Sequence, residues 1–194
     1  MAKHFFPMIY RMRYIHRWGL MRNTEQENIQ EHSHMVAVLA HALATIENQF
    51  YDGCYDVGQV TIAALYHDAS EIFTGDLPTP IKYDNPEIQN AYQSVERTAQ
   101  KRLLSMLPEP LQPIYQSAIL DVCPQIYTIV KAADRLSAYI KCIEELKVGN
   151  TEFLHAKEQI YQSLCDSTLH SVRYFMQECL PGFELTLDEL QSTQ

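Results

Sequence analysis

Residues 66–80 read Tyr-His-Asp-Ala-Ser-Glu-Ile-Phe-Thr-Gly-Asp-Leu-Pro-Thr-Pro, which sets His67, Asp68, Glu71 and Asp76 in one segment without a single Lys or Arg. On a helix turning roughly 100° per residue, His67, Asp68 and Glu71 fall within about 100° of arc. A solvated helix face ordinarily mixes charges, with Glu and Lys at four-residue steps. A face of imidazole and carboxylate is instead a set of ligands and bases for a hard or borderline divalent cation. The wet side of an amphipathic helix could carry the same residues, so this segment alone leaves both readings open.

Two distant residues tip the balance. His32 stands three and four residues before Met35 and Val36, on or beside the apolar stripe of its own segment. A lone histidine there is ordinarily a satisfied core residue. Asp134 flanks an apolar face made by Val130, Ala133 and Ser137, where an unpaired carboxylate is very costly. One divalent ion between His32, His67, Asp68 and Asp134 would satisfy all of them. Such a donor set leaves positions open on a six-coordinate ion. His34 and His41 face away from His32 on the same helical wheel and are not counted as ligands.

The elements that must position these residues are helical almost throughout. A stripe of Met35, Val36, Leu39, Ala42, Leu43 and Ile46 predicts a helix ending near residue 50, started by an Asn28/Glu31 capping pair. A second helix is predicted from about Asp56 to Thr74, with Ile62, Leu65, Tyr66, Ala69, Ile72 and Phe73 as its apolar side. Gly75 stops it, and Pro78 and Pro80 prevent its resumption. Further helices are predicted over 86–107, 111–120, 125–146 and 151–179. There is no internal repeat and no convincing alternating strand. The expected fold is all-α, a single-domain helical bundle of about six main helices over residues 1–194.

Composition narrows the partners. The chain has 194 residues, a hydrophobic fraction of 46% and a net charge of −9. Its first 22 residues hold five cations and no acid, so the rest carries −14. A mostly acidic surface repels a nucleic-acid backbone but still admits a small phosphate beside a metal ion and an arginine. No apolar run reaches the roughly 20 residues of a membrane span. The N-terminus lacks the pattern of a secretory signal. The five scattered cysteines form no CxxC pair and are read as reduced thiols, which places the protein in the cytoplasm.

The order His32, His67-Asp68, Asp134 on successive helices resembles the HD-domain metal-dependent phosphohydrolases. The resemblance is closer still to the bacterial HD-domain 5′-deoxynucleotidases of the YfbR type. It rests on RWGLMRN at 17–23, ENIQEHS at 27–33, YHDASEIFTGDLPTPIKY at 66–83, KAADRLSAYIKCIEEL at 131–146 and LTLDE at 185–189. The resemblance implies an HD-type fold with His32, His67, Asp68 and Asp134 holding one divalent ion such as cobalt or manganese. It implies Glu71 as the acid–base residue on the attacking water, with Asp76 a second candidate for handling the proton. Arg17 would orient the phosphate and Trp18 would line the sugar pocket. Asp76, Leu77, Pro78 and Thr79 would form the loop contacting the nucleotide, which His32, Asp68 and Asp134 also border. The implied reaction is hydrolysis of a deoxyribonucleoside 5′-monophosphate, by a homodimer.

The residue types suit that chemistry. A phosphate monoester is a dianion that repels nucleophiles, so its cleavage needs neutralised charge, an activated water and a proton for the leaving oxygen. The planar guanidinium of Arg17 can bind two phosphate oxygens at once. An indole packed at the sugar C2′ would leave a 2′-hydroxyl no room and no hydrogen bond. Two rivals remain: an HD enzyme acting on a cyclic or pyrophosphorylated nucleotide, and a non-catalytic HD module that senses a nucleotide. A pure sensor needs neither Glu71 nor Asp76.

Overall fold

The structure is a computed structural model that describes residues 3–82 and 85–192, without the side chains of Thr79 and Pro80. In chain order the helices are α1 (Phe5–Ile9), α2 (Ile29–Phe50), α3 (Val57–Tyr66), α4 (Glu71–Thr74), α5 (Thr79–Lys82), α6 (Pro86–Ser105), α7 (Gln112–Ile119), α8 (Pro124–Lys147), α9 (Leu154–Cys165), α10 (His170–Glu178) and α11 (Leu187–Ser192). Among the described residues there is no strand, only an isolated antiparallel bridge between His16 and Asn28. No helix of these residues is long and apolar enough to cross a membrane. The all-α expectation holds, with more helices than the six main ones foreseen.

The long helices begin where local chemistry starts them. Asn28 Oδ1 accepts from the backbone N–H groups of Gln30 and Glu31, both at 3.0 Å, and the Glu31 carboxylate accepts from the Asn28 N–H. Such a capping box contributes about 1 kcal/mol. Pro86 and Pro124 open α6 and α8, where a missing N–H costs nothing. The stripe of α2 then buries Val36, Leu39, Ala40, Leu43 and Ala44 against α3 and α8.

Several of the expected helices differ from those observed. Residues 56–74 do not form one helix. It ends at Tyr66, and the chain turns through 67–70 on bonds from Ala69 N–H to the Tyr66 carbonyl and from Glu71 N–H to the Asp68 carbonyl, both 3.0 Å. The apolar side is also rotated from the one expected: Ile62 and Leu65 point outward, 48% and 40% exposed, while Val60, Ala63 and Ala64 are buried. Small alanines let α3 approach α2 closely, an advantage that a hydrophobicity pattern does not rank. Likewise 151–179 divides into α9 and α10. The amide of Ser171 in the first turn of α10 donates to buried Glu47 of α2 at 2.7 Å, a cap delivered from elsewhere in the chain. Pro80 does not stop the chain from coiling again, because it falls in the first turn of α5.

Among the described residues the core has two clusters. One lies between α2, α3, α8 and α10, around Val36, Leu43, Val60, Leu136 and Phe175. The other gathers Phe5, Met12, Ile29, Ala69, Leu103 and Ile119. His32 lies between Ile29 of the second cluster and Val36 of the first, and His67-Asp68 between Ala64 of the first and Ala69 of the second. The polar residues singled out from sequence therefore sit at the seam of the two cores.

Candidate metal centre

Tight packing among α2, α3 and α8 delivers the donors. His32 is in the first turns of α2, His67 and Asp68 follow α3, and Asp134 is midway along α8. His32 is fully buried, and a donor atom from each of His32, His67 and Asp68 lies within 4.8 Å of the others. His67 Nε2 is 3.0 Å from Asp68 Oδ2, and His32 Nε2 is 3.6 Å from the same oxygen. Asp134 Oδ1 completes the set, 3.1 Å from His32 Nε2 and 4.0 Å from His67 Nε2.

The far sides of both rings are tied down. His67 Nδ1 donates to the Ala64 carbonyl at 2.7 Å, and His32 Nδ1 lies 3.2 Å from Ser137 Oγ. A carbonyl only accepts, so His67 Nδ1 carries a proton, and in the neutral ring Nε2 offers its lone pair to the cluster. Holding the outer nitrogen this way is how proteins orient metal-binding imidazoles. The decisive observation is that His67 Nε2 is buried without a hydrogen bond, and so is Glu71 Oε2. Buried polar atoms rarely stay unpaired. A cation among these donors and a water beside Glu71 would satisfy them, so the residues fit a divalent ion.

The electrostatics of the cluster divide: burial opposes protonation of His67, but the crowded acids Asp68 and Asp134 raise its pKa. Burial, helped by the Arg17 cation, lowers the pKa of His32 and keeps the ring neutral, the form that can bind a metal. Asp68, although buried, is held ionised, chiefly by His67. Glu71 is only 5% exposed, and burial together with Asp68 and Asp76 pushes its carboxyl up to about 10. Asp76 is likewise raised by burial, with Arg17 opposing and Asp68 adding to the rise.

A second group flanks these donors, on the segment entering α2 and the loop after α4. Gly75 ends α4 with φ of 72°, in the region that suits glycine, and its N–H closes the last turn onto the Glu71 carbonyl at 2.8 Å. Asp76 then accepts from the backbone N–H of Trp18 at 3.3 Å. Leu77 and Pro78 are half-buried beside it. The side chain of Thr79, expected to contact the nucleotide, lies outside the described residues. Trp18 itself has φ of 60°, a rare conformation for a bulky residue and one that surrounding contacts must enforce. Arg17 is 13% exposed, and its charge is maintained against burial by Glu27, Asp134, Asp68 and Asp76.

A cavity of about 260 Å³ opens beside His67 and Asp68, bordered also by Lys82, Tyr92, Glu96 and Lys131. Its cations already face carboxylates: Lys82 pairs with Glu96 at 2.7 Å and Lys131 with Asp134 at 3.3 Å. Arg17 commits only Nη1, to Glu27, among the described residues. Sequence reasoning gave no role in the site to Glu27, Ser137 or the pair Lys141–Glu145, although Glu27 lies in the quoted stretch ENIQEHS and the other three in KAADRLSAYIKCIEEL.

Comparisons with known proteins fit this geometry. A family model described as 5′-deoxynucleotidase YfbR-like matches residues 4–183. The 5′-deoxynucleotidase YfbR of Photorhabdus temperata is 47% identical over 189 residues, covering 96% of each chain. The 5′-deoxynucleotidase of Vibrio cholerae serotype O1 is also 47% identical, over 96% of this chain and 97% of its own. Among solved structures, an HD-domain phosphohydrolase from Listeria innocua superposes with a TM-score of 0.81 at 25% identity, covering 94% of this chain and 90% of its own. The HD phosphohydrolase of cyanophage S-2L, bound to dA and one catalytic Zn²⁺, shares the fold with a TM-score of 0.60 at 24% identity, over 96% of both chains.

Proposed function

The chain belongs to the YfbR-like 5′-deoxynucleotidase family, and from that premise we propose the way in which it cleaves deoxyribonucleoside 5′-monophosphates to deoxynucleoside and phosphate. It is a phosphoric monoester hydrolase that favours deoxyribose over ribose. The observation that carries the mechanism is the pair of buried, unpartnered atoms, His67 Nε2 and Glu71 Oε2, within one cluster of acids and imidazoles.

His32, His67, Asp68 and Asp134 hold one divalent ion, for which cobalt or manganese suits a mixed nitrogen and oxygen donor set. When bound, that ion supplies positive charge against the phosphate dianion and makes a nearby water more acidic. Arg17 takes two phosphate oxygens with the part of its fork that Glu27 leaves uncommitted. Glu71 holds the attacking water and accepts its proton. The new bond forms from that water to phosphorus as the bond to the sugar 5′-oxygen breaks on the opposite side. The leaving oxygen takes a proton, and Asp76, lifted toward its protonated form, is placed to give it. Trp18 walls the sugar at C2′, and Leu77, Pro78 and Thr79 border the nucleotide. His32, Asp68 and Asp134 do so too.

Phosphate release should be measured over a panel of deoxy- and ribonucleoside monophosphates, after chelation and then with single divalent ions restored. Release that depends on the ion and is faster from the deoxy series is expected. Silence with every ion, or equal rates for both sugars, would refute the reading.

The whole chain, residues 1–194, acts as one domain in the cytoplasm, on small nucleotides rather than on a nucleic-acid polymer, as its net charge of −9 favours. It pairs as a homodimer. Met35, Val38, Ile62 and Leu65 turn outward from the packed helices α2 and α3, supporting an apolar contact between copies. Sedimentation at the mass of a single chain would rule that out.

A further inference from the structure

Glu27 has three neighbours in the site. Its Oε2 accepts from Arg17 Nη1 at 3.0 Å and from the indole Nε1 of Trp18 at 3.2 Å. Its other oxygen lies 3.8 Å from His32 Nδ1. The carboxylate is 16% exposed, so these contacts are largely shielded from water. Backbone pairing fixes where it stands: Arg17 N–H donates to the Glu27 carbonyl, and Ile29 N–H to the Ile15 carbonyl, each at 2.9 Å. These two bonds zip the segment bearing Arg17 and Trp18 to the start of α2.

A steric filter works only if its wall cannot yield. An indole free to swing would admit a 2′-hydroxyl, because the clash costs no more than the rotation that relieves it. Trp18 has its main chain held by the Asp76 carboxylate and by the Asn23 amide on its carbonyl, both at 3.3 Å. Those bonds fix the backbone and leave the ring's rotation undecided. Phe153, with ring centroids 5.2 Å apart, supports one side of the indole. The bond from Nε1 to Glu27 sets its angle, since a shielded indole N–H seeks a partner and loses it on turning. The same oxygen fixes the plane of the guanidinium, whose carbon lies 5.9 Å from the indole centroid.

We propose that Glu27 is a positioning residue that locks the Trp18 indole and the Arg17 guanidinium into one rigid unit, and so determines the preference for deoxyribose. This rests on the reading above that Trp18 faces the sugar. Glu27 touches neither the phosphate nor the sugar; it acts through the two side chains that do. Its two tasks separate chemically. Indole tethering needs only an accepting oxygen, which an amide provides, whereas balancing Arg17 needs the negative charge.

The test compares Glu27→Ala, Glu27→Gln and Trp18→Phe, measuring kcat/KM for matched deoxy- and ribonucleoside monophosphates. Glu27→Ala should cut the deoxy-to-ribo ratio about tenfold, the effect of one lost hydrogen bond to a shielded group, and raise KM. Glu27→Gln should keep the ratio within about twofold, because the amide still accepts from the indole, with KM at or below the wild-type value as Arg17 loses its competing anion. Trp18→Phe keeps an aromatic wall without an N–H, so its ratio should fall too, and adding Glu27→Ala should lower it no further.

Trp18 is the only tryptophan, so its fluorescence reports the lock without substrate. In Glu27→Ala the emission should shift to the red and acrylamide should quench it more readily, while Glu27→Gln should match wild type. An unchanged ratio or unchanged quenching in Glu27→Ala overturns the proposal, as does equal loss of the ratio in both Glu27 variants. If Glu27→Ala does not fold, a normal ratio in Trp18→Phe overturns it instead. A wild-type enzyme indifferent to the sugar would sink the reading of Trp18 while leaving the fluorescence result to judge the lock.

Discussion

At the scale of single residues, the proposed base Glu71 is an ordinary carboxyl set apart by its position. It lies buried with one oxygen unpartnered, between Asp68 and Asp76, so that it resists ionisation in the resting protein. Positive charge placed among these acids would relieve that resistance and so would make Glu71 a base only in the loaded site. Glu71→Gln preserves shape and removes the base. It should lower kcat by roughly 10²–10⁴-fold while metal content and nucleotide binding stay at wild-type levels. Phosphate release at the wild-type rate would remove Glu71 from the proton chemistry. The spacing of His67, Asp68 and Glu71 was readable because all three lie within one short segment. The orphaned atoms of His67 and Glu71 were not, because orphaning is decided by neighbours from other helices.

At the scale of elements, the segment carrying Arg17 and Trp18 is anchored to α8 by a buried ion pair. Lys141 pairs with Glu145, four residues on, and donates to the Glu25 carbonyl at 2.7 Å. Glu145 accepts from Thr24 Oγ1 at 2.7 Å, from the Thr24 amide at 3.0 Å and from Asn150 at 2.8 Å. Burial alone would raise the Glu145 pKa, but the bonds from Lys141, Asn150 and Thr24 outweigh it and bring the carboxyl from 4.5 to about 2. The folded pKa lies below the unfolded one, so this stabilisation is complete above about pH 4.5 and is lost as pH falls toward about 2. It amounts to roughly 3 kcal/mol. Glu145→Gln should therefore be less stable than wild type by about that amount at neutral pH, and the gap should close in acid. Urea titrations from neutral to acid pH check both halves. A gap that persists unchanged in acid would show that the charge of Glu145 is not its source.

At the scale of the whole molecule, the proposed metal centre joins the two core clusters. His32, His67 and Asp68 stand at their seam, so an ion bound there would cross-link α2, the turn after α3, and α8 through Asp134. Binding to the folded chain alone stabilises it by about 2.7 kcal/mol when the ion is at roughly 100 times its dissociation constant. For a chain of this size that corresponds to a rise in Tm of about 5–10 °C. Chelation should lower Tm by that much, and one restored divalent ion should return it together with activity. Calorimetry with and without chelator checks this, and an unaltered Tm would mean that no ion bridges the helices. His32→Ala should show the low Tm even with the ion present.

The sequence alone determined the helical class, the α2 cap, the stop at Gly75 and the short list of candidate metal donors. Each is set by residues within about a turn of one another, or by a residue type out of place on an apolar stripe. The tertiary structure decided the rest. It broke the expected helix at Tyr66 and set Ala63 and Ala64 inward with Ile62 and Leu65 outward. It capped α10 with Glu47 from α2 and brought Glu27 onto Arg17 and Trp18 through the pairing of two segments. Local periodicity records which residues share a face; only packing selects what that face meets, because burial and hydrogen-bond partners come from residues far apart in the chain.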